Sequence, residues 1–360
     1  MIIPTKGDRI AVLTAVYKEA VRWTNLPESP ENRHWPGRCA ALPSRRIIQP
    51  GRPDLVSPDP GSRGRFRKLG LGTAQFGMSY GRFNRNGRPS RDTIAAILHR
   101  AAALGFGTLD TAALYGEGEA VLGQSLWPDH GFRIVTKTPR FGAAGIGVEQ
   151  AAALRAAFQA SCNLLRQDRL YGLLAHDSND LLADGGGHLF DAMNELKRRG
   201  AVEKIGASVY TVRQIEGLLT RGGIDLIQAP MSVLDQRLID SGVLREIAAH
   251  NIELHVRSAY LQGLLLADPA TLPPFFAPAR AAIDGFQRAA QSIGSTPAAA
   301  ALSFLLQLQE VDAVLVGVDT VEQLEVIAVL PVKSPALDYR AFRISDERIL
   351  DPSRWPEAVS

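Results

Sequence analysis

The sequence predicts an eight-stranded parallel α/β barrel, the (β/α)8 or TIM-barrel class, behind a poorly structured N-terminal extension. Three observations predict it. From Lys68 onward, short strand-like runs alternate with helical runs at regular spacing, eight times over. The first run, in which GLGTAQFG follows Leu69, lacks the G-x-G-x-x-G that a doubly wound open sheet would place there. Successive runs also end in ionisable residues, and barrel sites are built at the C-terminal ends of strands.

The strands are predicted at Leu69–Thr73, Gly107–Ala112, Arg133–Lys137, Leu170–His176, Lys204–Val209, Ile224–Ala229, Ile252–Ser258 and Ala313–Val318. Each is a short apolar run, as expected of strands covered on both faces. Helices are predicted between them. Arg91–Ala103 has Ser90 as its cap and Asp92 in its first turn. A second starts near Glu117. Glu149–Arg166 is the longest, and Leu189–Arg199 ends in basic residues before Gly200. Val212–Leu219, Val243–His250 and Ala279–Ile293 follow. Pro297–Gln307 has Thr296 as cap and proline at its first position, and Val321–Val329 closes the series.

The domain reading is therefore 1–66 extension, 67–333 barrel, and 334–360 a C-terminal tail packing on the barrel. The extension holds nine of the 22 prolines, which forbid any long element after Trp23. Arg9–Trp23 allows one amphipathic helix. Residues 1–68 carry a net charge of +7 and the remainder −4, so the basic balance belongs to the extension. The segment reads as loosely attached chain, as sequence upstream of the true start, or as a basic arm for an acidic partner. The barrel itself shows no nucleic-acid footprint. No run is long enough to span a membrane, and there is no secretory signal. Cys39 and Cys162 are far apart, with Cys162 expected as a packed thiol; so few cysteines fit a cytoplasmic location.

Polar residues at the strand ends form a short list: Asp110, Lys137, His176, Ser208, Gln228, Arg257 and Ser258. Tyr115 follows Asp110 by five residues. A lysine in a barrel mouth needs a counter-charge, which Asp110 supplies. The expected result is a cation beside Tyr115 that lowers the phenol's pKa and makes it a usable proton donor, with His176 nearby. Such a set suits carbonyl reduction or alcohol oxidation with a nicotinamide cofactor. No nucleophile–base pair for acyl transfer is evident, and no His/Asp/Glu cluster has metal-ligand spacing.

Residues 69–330 resemble the aldo-keto reductases. The resemblance is carried by LGLGTAQFGMSYG (69–81), GTLDTAALYGEGEAVLG (107–123), TK (136–137), LLAH (173–176), IGAS (205–208), IQAPMS (227–232), QGLL (262–265) and VGVDTVEQLE (316–325). It implies a catalytic tetrad of Asp110, Tyr115, Lys137 and His176. It also implies NADP(H), less often NAD(H), across the barrel mouth, no metal, and a small carbonyl or sugar-like substrate. Ser208 and Gln228 would meet the carboxamide. Ser258, Gly263 and Leu264 after strand seven, with Gly317, Asp319 and Gln323 after strand eight, would hold the pyrophosphate and adenosine end.

The departures lie at the cofactor. Val209 stands where the family usually has Asn. Arg257 stands where a tyrosine commonly stacks on the nicotinamide; it could stack in its place, hold a substrate carboxylate or phosphate, or pair with Glu253. Asp319 stands near the place where many members put a cation for the 2′-phosphate, which weakens the case for NADP(H). His255, sharing a strand face with Arg257, is expected either on the substrate side or as interior packing. Trp127 reads as structural. A second functional class stays open: a cofactor-sensing regulatory or binding protein on the same barrel. Oligomeric state and substrate identity are not encoded legibly.

Overall fold

The computed structural model describes residues 67–84, 86–142, 145–328 and 337–356. The extension at 1–66 and its expected Arg9–Trp23 helix lie outside the described residues. Eight strands close into one parallel barrel: β1 (Leu69–Gly72), β2 (Thr108–Asp110), β3 (Arg133–Lys137), β4 (Leu170–Ala175), β5 (Val202–Ser208), β6 (Leu226–Pro230), β7 (Glu253–Arg257) and β8 (Ala313–Val316). β8 returns to β1 with Gly70 opposite Leu315. Every predicted strand is present, most of them shorter than predicted. The sequence runs stay apolar past the point where the barrel rim ends the pairing.

The outer layer comprises α1 (Arg91–Leu104), α2 (Gly118–Ser125), α3 (Val148–Leu165), α4 (Gly186–Arg198), α5 (Val212–Arg221), α6 (Val243–Ala249), α7 (Arg280–Ser292), α8 (Pro297–Leu306) and α9 (Val321–Ala328). Caps set several starts. Ser90 Oγ accepts the Thr93 N–H at the head of α1, Thr211 and Gln214 form a capping box on α5, and Thr296 caps α8 ahead of its proline. α4 begins three residues before its predicted start, because Gly186 nests against the Asp180 and Leu181 carbonyls where no Cβ fits. Trp127 stacks on His99 at 4.1 Å and packs beside Phe132, a structural role. Cys162 is buried in α3. Among the described residues, no helix is long and apolar enough to cross a membrane.

The main core lies between the strands and the helices. Inside the barrel, Val135, Leu174 and Leu226 form a thin apolar layer, with Tyr171 packed against it. Alternation along β3 explains its position: Arg133 goes to the floor, Val135 to the layer and Lys137 to the mouth. The floor is ionic. Glu253 bonds the Tyr171 hydroxyl at 2.6 Å, His255 Nε2 at 2.6 Å and Lys204 Nζ, with Arg133 3.8 Å away. His255 is therefore interior, at the floor, and not on the substrate side.

Residues 337–356 pack on the barrel. Tyr339 donates its hydroxyl proton to Ala300 O, and the Trp355 ring meets Phe276 and Phe83 edge-on. The loop 271–278 is held by Phe276, which is fully buried.

Candidate active site

The mouth gathers the ends of β2, β3, β4 and β6 around one lysine. Lys137 Nζ donates to both Asp110 carboxylate oxygens, at 2.7 and 2.8 Å, and to Thr111 O at 3.0 Å. Only 2% of Lys137 is exposed. Gln228 Nε2 donates to Asp110 Oδ1 at 2.6 Å, so the carboxylate is fixed from two sides. Burial lowers the Lys137 pKa, and the Asp110 charge opposes that shift.

Tyr115 sits on the loop between β2 and α2. Its N–H donates to Ala112 O, and its carbonyl accepts from Gly118 N. The backbone of Gly77, in the β1 loop, comes so close that a Cβ there would fall 1.7 Å from Tyr115 O. Glycine is thus what lets the β1 loop brace the tyrosine. The Lys137 ammonium lies 5.1 Å from the Tyr115 ring centroid, and the His176 ring meets Tyr115 edge-on at 6.0 Å. The four residues expected at the site are therefore neighbours.

The phenol does not behave as expected. Burial raises the Tyr115 pKa well above its ordinary value, and the Asp110 charge raises it further, while Arg257 and Arg140 oppose. Burial is the larger of these causes, and it outweighs the neighbouring cations. His176 moves the other way, down to about 3, through burial and then the Lys137, Arg140 and Arg257 charges. Its backbone N–H donates to Thr138 Oγ1, and its ring Nδ1 is buried with no partner among the described residues.

That shift predicts a pH dependence of stability. The unfolded chain binds a proton on His176 below about pH 6.5, whereas the folded chain does not until about pH 3. The contribution is present above pH 6.5 and is lost as pH falls toward 3, at up to about 1.4 kcal/mol per unit. Urea midpoints at pH 7 and pH 5 should fall more for wild type than for His176→Gln; parallel falls would refute the assignment.

Arg257 does not pair with Glu253, which lies at the floor. Four residues along a strand separate the two by about 13 Å. Instead its Nη2 donates to Val209 O at 3.0 Å, and its Cζ lies 4.2 Å from the centroid of the Tyr210 ring. The Val209 side chain is buried in the main core, so this position offers the mouth a carbonyl only. Sequence reasoning missed Tyr210 and Arg140; the only signal was their place just beyond β5 and β3.

Ser208 and Gln228 are register partners on β5 and β6. Gln228 Oε1 is buried without a partner among the described residues. The loop after β7 holds Ser258, Leu261 and Gln262 at φ of 64°, 48° and 53°, beside Gly263 at 94°, a backbone strained at three non-glycine positions. Leu264 turns its side chain into the core. Gly317 abuts Gln75, and the Asp319 N–H donates to Gln323 Oε1 at 2.7 Å. Burial raises the Asp319 pKa. Of these positions, Gln228 bonds Asp110 and so reaches the Tyr115 cluster. Among the described residues, no group of His, Cys, Asp and Glu is arranged to hold a metal.

Comparison with known proteins bears on the family and the fold. The family model described as the aldo/keto reductase family matches residues 68–339. Two solved structures share the fold. One is an aldo-keto reductase from Bacillus halodurans in its holo form, at 21% identity, TM-score 0.61, over 81% of this chain and 95% of that one. The other is the glycerol dehydrogenase from Gluconobacter oxydans, at 21% identity, TM-score 0.58, over 76% and 88%. No curated protein matches in sequence.

Proposed function

Because the chain belongs to the aldo/keto reductase family, oxidoreductases of carbonyl compounds, we propose that it moves a hydride between a nicotinamide cofactor and an aldehyde, ketone or sugar-like alcohol, with Tyr115 as general acid and base. The catalytic unit is residues 67–333, with 334–360 as its tail. The observation that carries this reading is the cluster at the mouth: a lysine pinned by Asp110 below a tyrosine ring that also meets His176.

The residues fit the cofactor. Gln228 Oε1, buried and unpartnered, and the Ser208 hydroxyl on the next strand offer an acceptor and a donor for a carboxamide. The strained loop from Ser258 through Gly263 and Leu264, together with Gly317, Asp319 and Gln323, would hold the other end. The bound nicotinamide supplies or accepts the hydride. The family reading is NADP(H). Asp319 argues toward NAD(H), since a carboxylate there repels a 2′-phosphate but accepts a hydroxyl.

In the reducing direction, Tyr115 Oη gives its proton to the substrate oxygen. The raised phenol pKa keeps that proton in place at neutral pH, so the donor is always loaded. The Lys137 cation gains most after the proton has left, when it faces a phenolate, so its attraction grows along the reaction. Neutral His176 orients the same substrate oxygen by hydrogen bonding.

The test is fluorescence titration with NADPH and NADH, then a carbonyl and aldose panel with the tighter cofactor. Saturable binding and turnover are expected. Tight binding without turnover would move the reading to a cofactor-sensing protein.

A further inference from the structure

Two guanidiniums at the strand ends form no ion pair among the described residues. Arg257 ends β7, and its two polar contacts are Val209 O at 3.0 Å and Ser258 Oγ at 3.4 Å. These occupy two of the five N–H donors a guanidinium carries. None of the other three is a buried orphan. Arg140, three residues beyond β3, has no ion pair or hydrogen bond among the described residues. Some arginines elsewhere are paired, Arg100 with Glu325, Arg155 with Glu195 and Arg237 with Asp235, while exposed ones such as Arg91, Arg213 and Arg245 make no ion pair among the described residues, so it is the half-buried Arg257 that stands out.

Both free charges act on Tyr115 and His176, so they share the mouth with the proton donor. Asp110 and Lys137 cancel each other as a pair, and the Asp180 carboxylate near Arg140 is engaged by the Phe141 N–H at 2.9 Å. Arg257 is also oriented in advance. Tyr210 supports its plane, and the Val209 carbonyl fixes one end, so little rotamer freedom remains to be lost on binding. A planar fork held at a strand end with free donors matches a carboxylate or phosphate, and a neutral substrate would leave it unpaired. The loops after β1 and β2 bring Met78, Tyr80 and Leu114 to the same end, all partly exposed and none charged.

Resting on the reading of Tyr115 as proton donor, we propose that Arg257, assisted by Arg140, forms an anion subsite, and that the substrate is a carbonyl compound bearing a carboxylate or phosphate group.

Two matched pairs test it: 4-formylbenzoate against its methyl ester, and glyceraldehyde 3-phosphate against glyceraldehyde. Wild type should favour the anionic member of at least one pair by about tenfold or more in kcat/KM, and the pair that responds identifies the group. Arg257→Gln should lower that anionic-to-neutral ratio by about 10- to 100-fold, Arg140→Gln by less, and high salt should narrow both effects. The cofactor dissociation constant, read by fluorescence in the same variants, should change far less than the ratio. A ratio near one in wild type overturns the subsite, as does a ratio untouched by Arg257→Gln. So does a loss of cofactor binding that lowers both members equally, which would give Arg257 to the cofactor phosphates. Turnover of neutral members with no anionic preference overturns the subsite alone. Absence of turnover with every member removes the proton-donor reading and the subsite with it.

Discussion

Tyr115→Phe is expected to lower kcat for carbonyl reduction about a thousandfold while nicotinamide binding stays near wild type. The change removes one oxygen and keeps the ring. The Lys137 contact at 5.1 Å and the edge-on His176 contact at 6.0 Å are both made by that ring. The loop is braced through its backbone against Gly77, so it stays in place as well. A lost rate can therefore be assigned to the lost proton. Turnover within tenfold of wild type, with the melting temperature unchanged, would strip Tyr115 of its role.

Lys137→Met should be the most damaging single change to stability, by about 3–5 kcal/mol. Asp110 is 5% exposed, and its carboxylate would keep only the Gln228 amide as a partner. A buried carboxylate without its cation is the costly species, more than the loss of the pair itself. The companion variant separates the two effects. Asp110→Asn combined with Lys137→Met removes both charges and should recover most of the urea midpoint, though not the activity. A double variant as unstable as the sum of its parts would show that packing, and not charge, sets the cost.

The barrel and much of its mouth were legible for one physical reason. A strand buried on both faces reads as an apolar run, and an ionisable residue ending such a run has to point into a site. Lys137 and His176 stood out that way, and Asp110 followed as the counter-charge. What stayed hidden depends on distances across the barrel. Arg257 and Glu253 are opposite charges on one strand, yet the strand's own rise holds them apart. The direction of the Tyr115 shift turned on how deeply the phenol is buried, which no spacing encodes. Tyr210 and Arg140 sit on loops without periodicity, so nothing in their neighbourhood marks them as part of the mouth.

The ionic floor constrains how the chain can reach this state. Glu253 arrives with β7, but its partners Arg133, Tyr171 and Lys204 belong to β3, β4 and β5. A growing chain that has laid down five strands holds two cations with no counter-ion, and β7 alone leaves a carboxylate facing an apolar layer. Half-barrels thus lack the contacts that close the floor, and those contacts form only when distant segments meet. Folding should be slow and all-or-none, with few populated partial barrels. Glu253→Gln should blunt that cooperativity before it alters anything at the opposite rim.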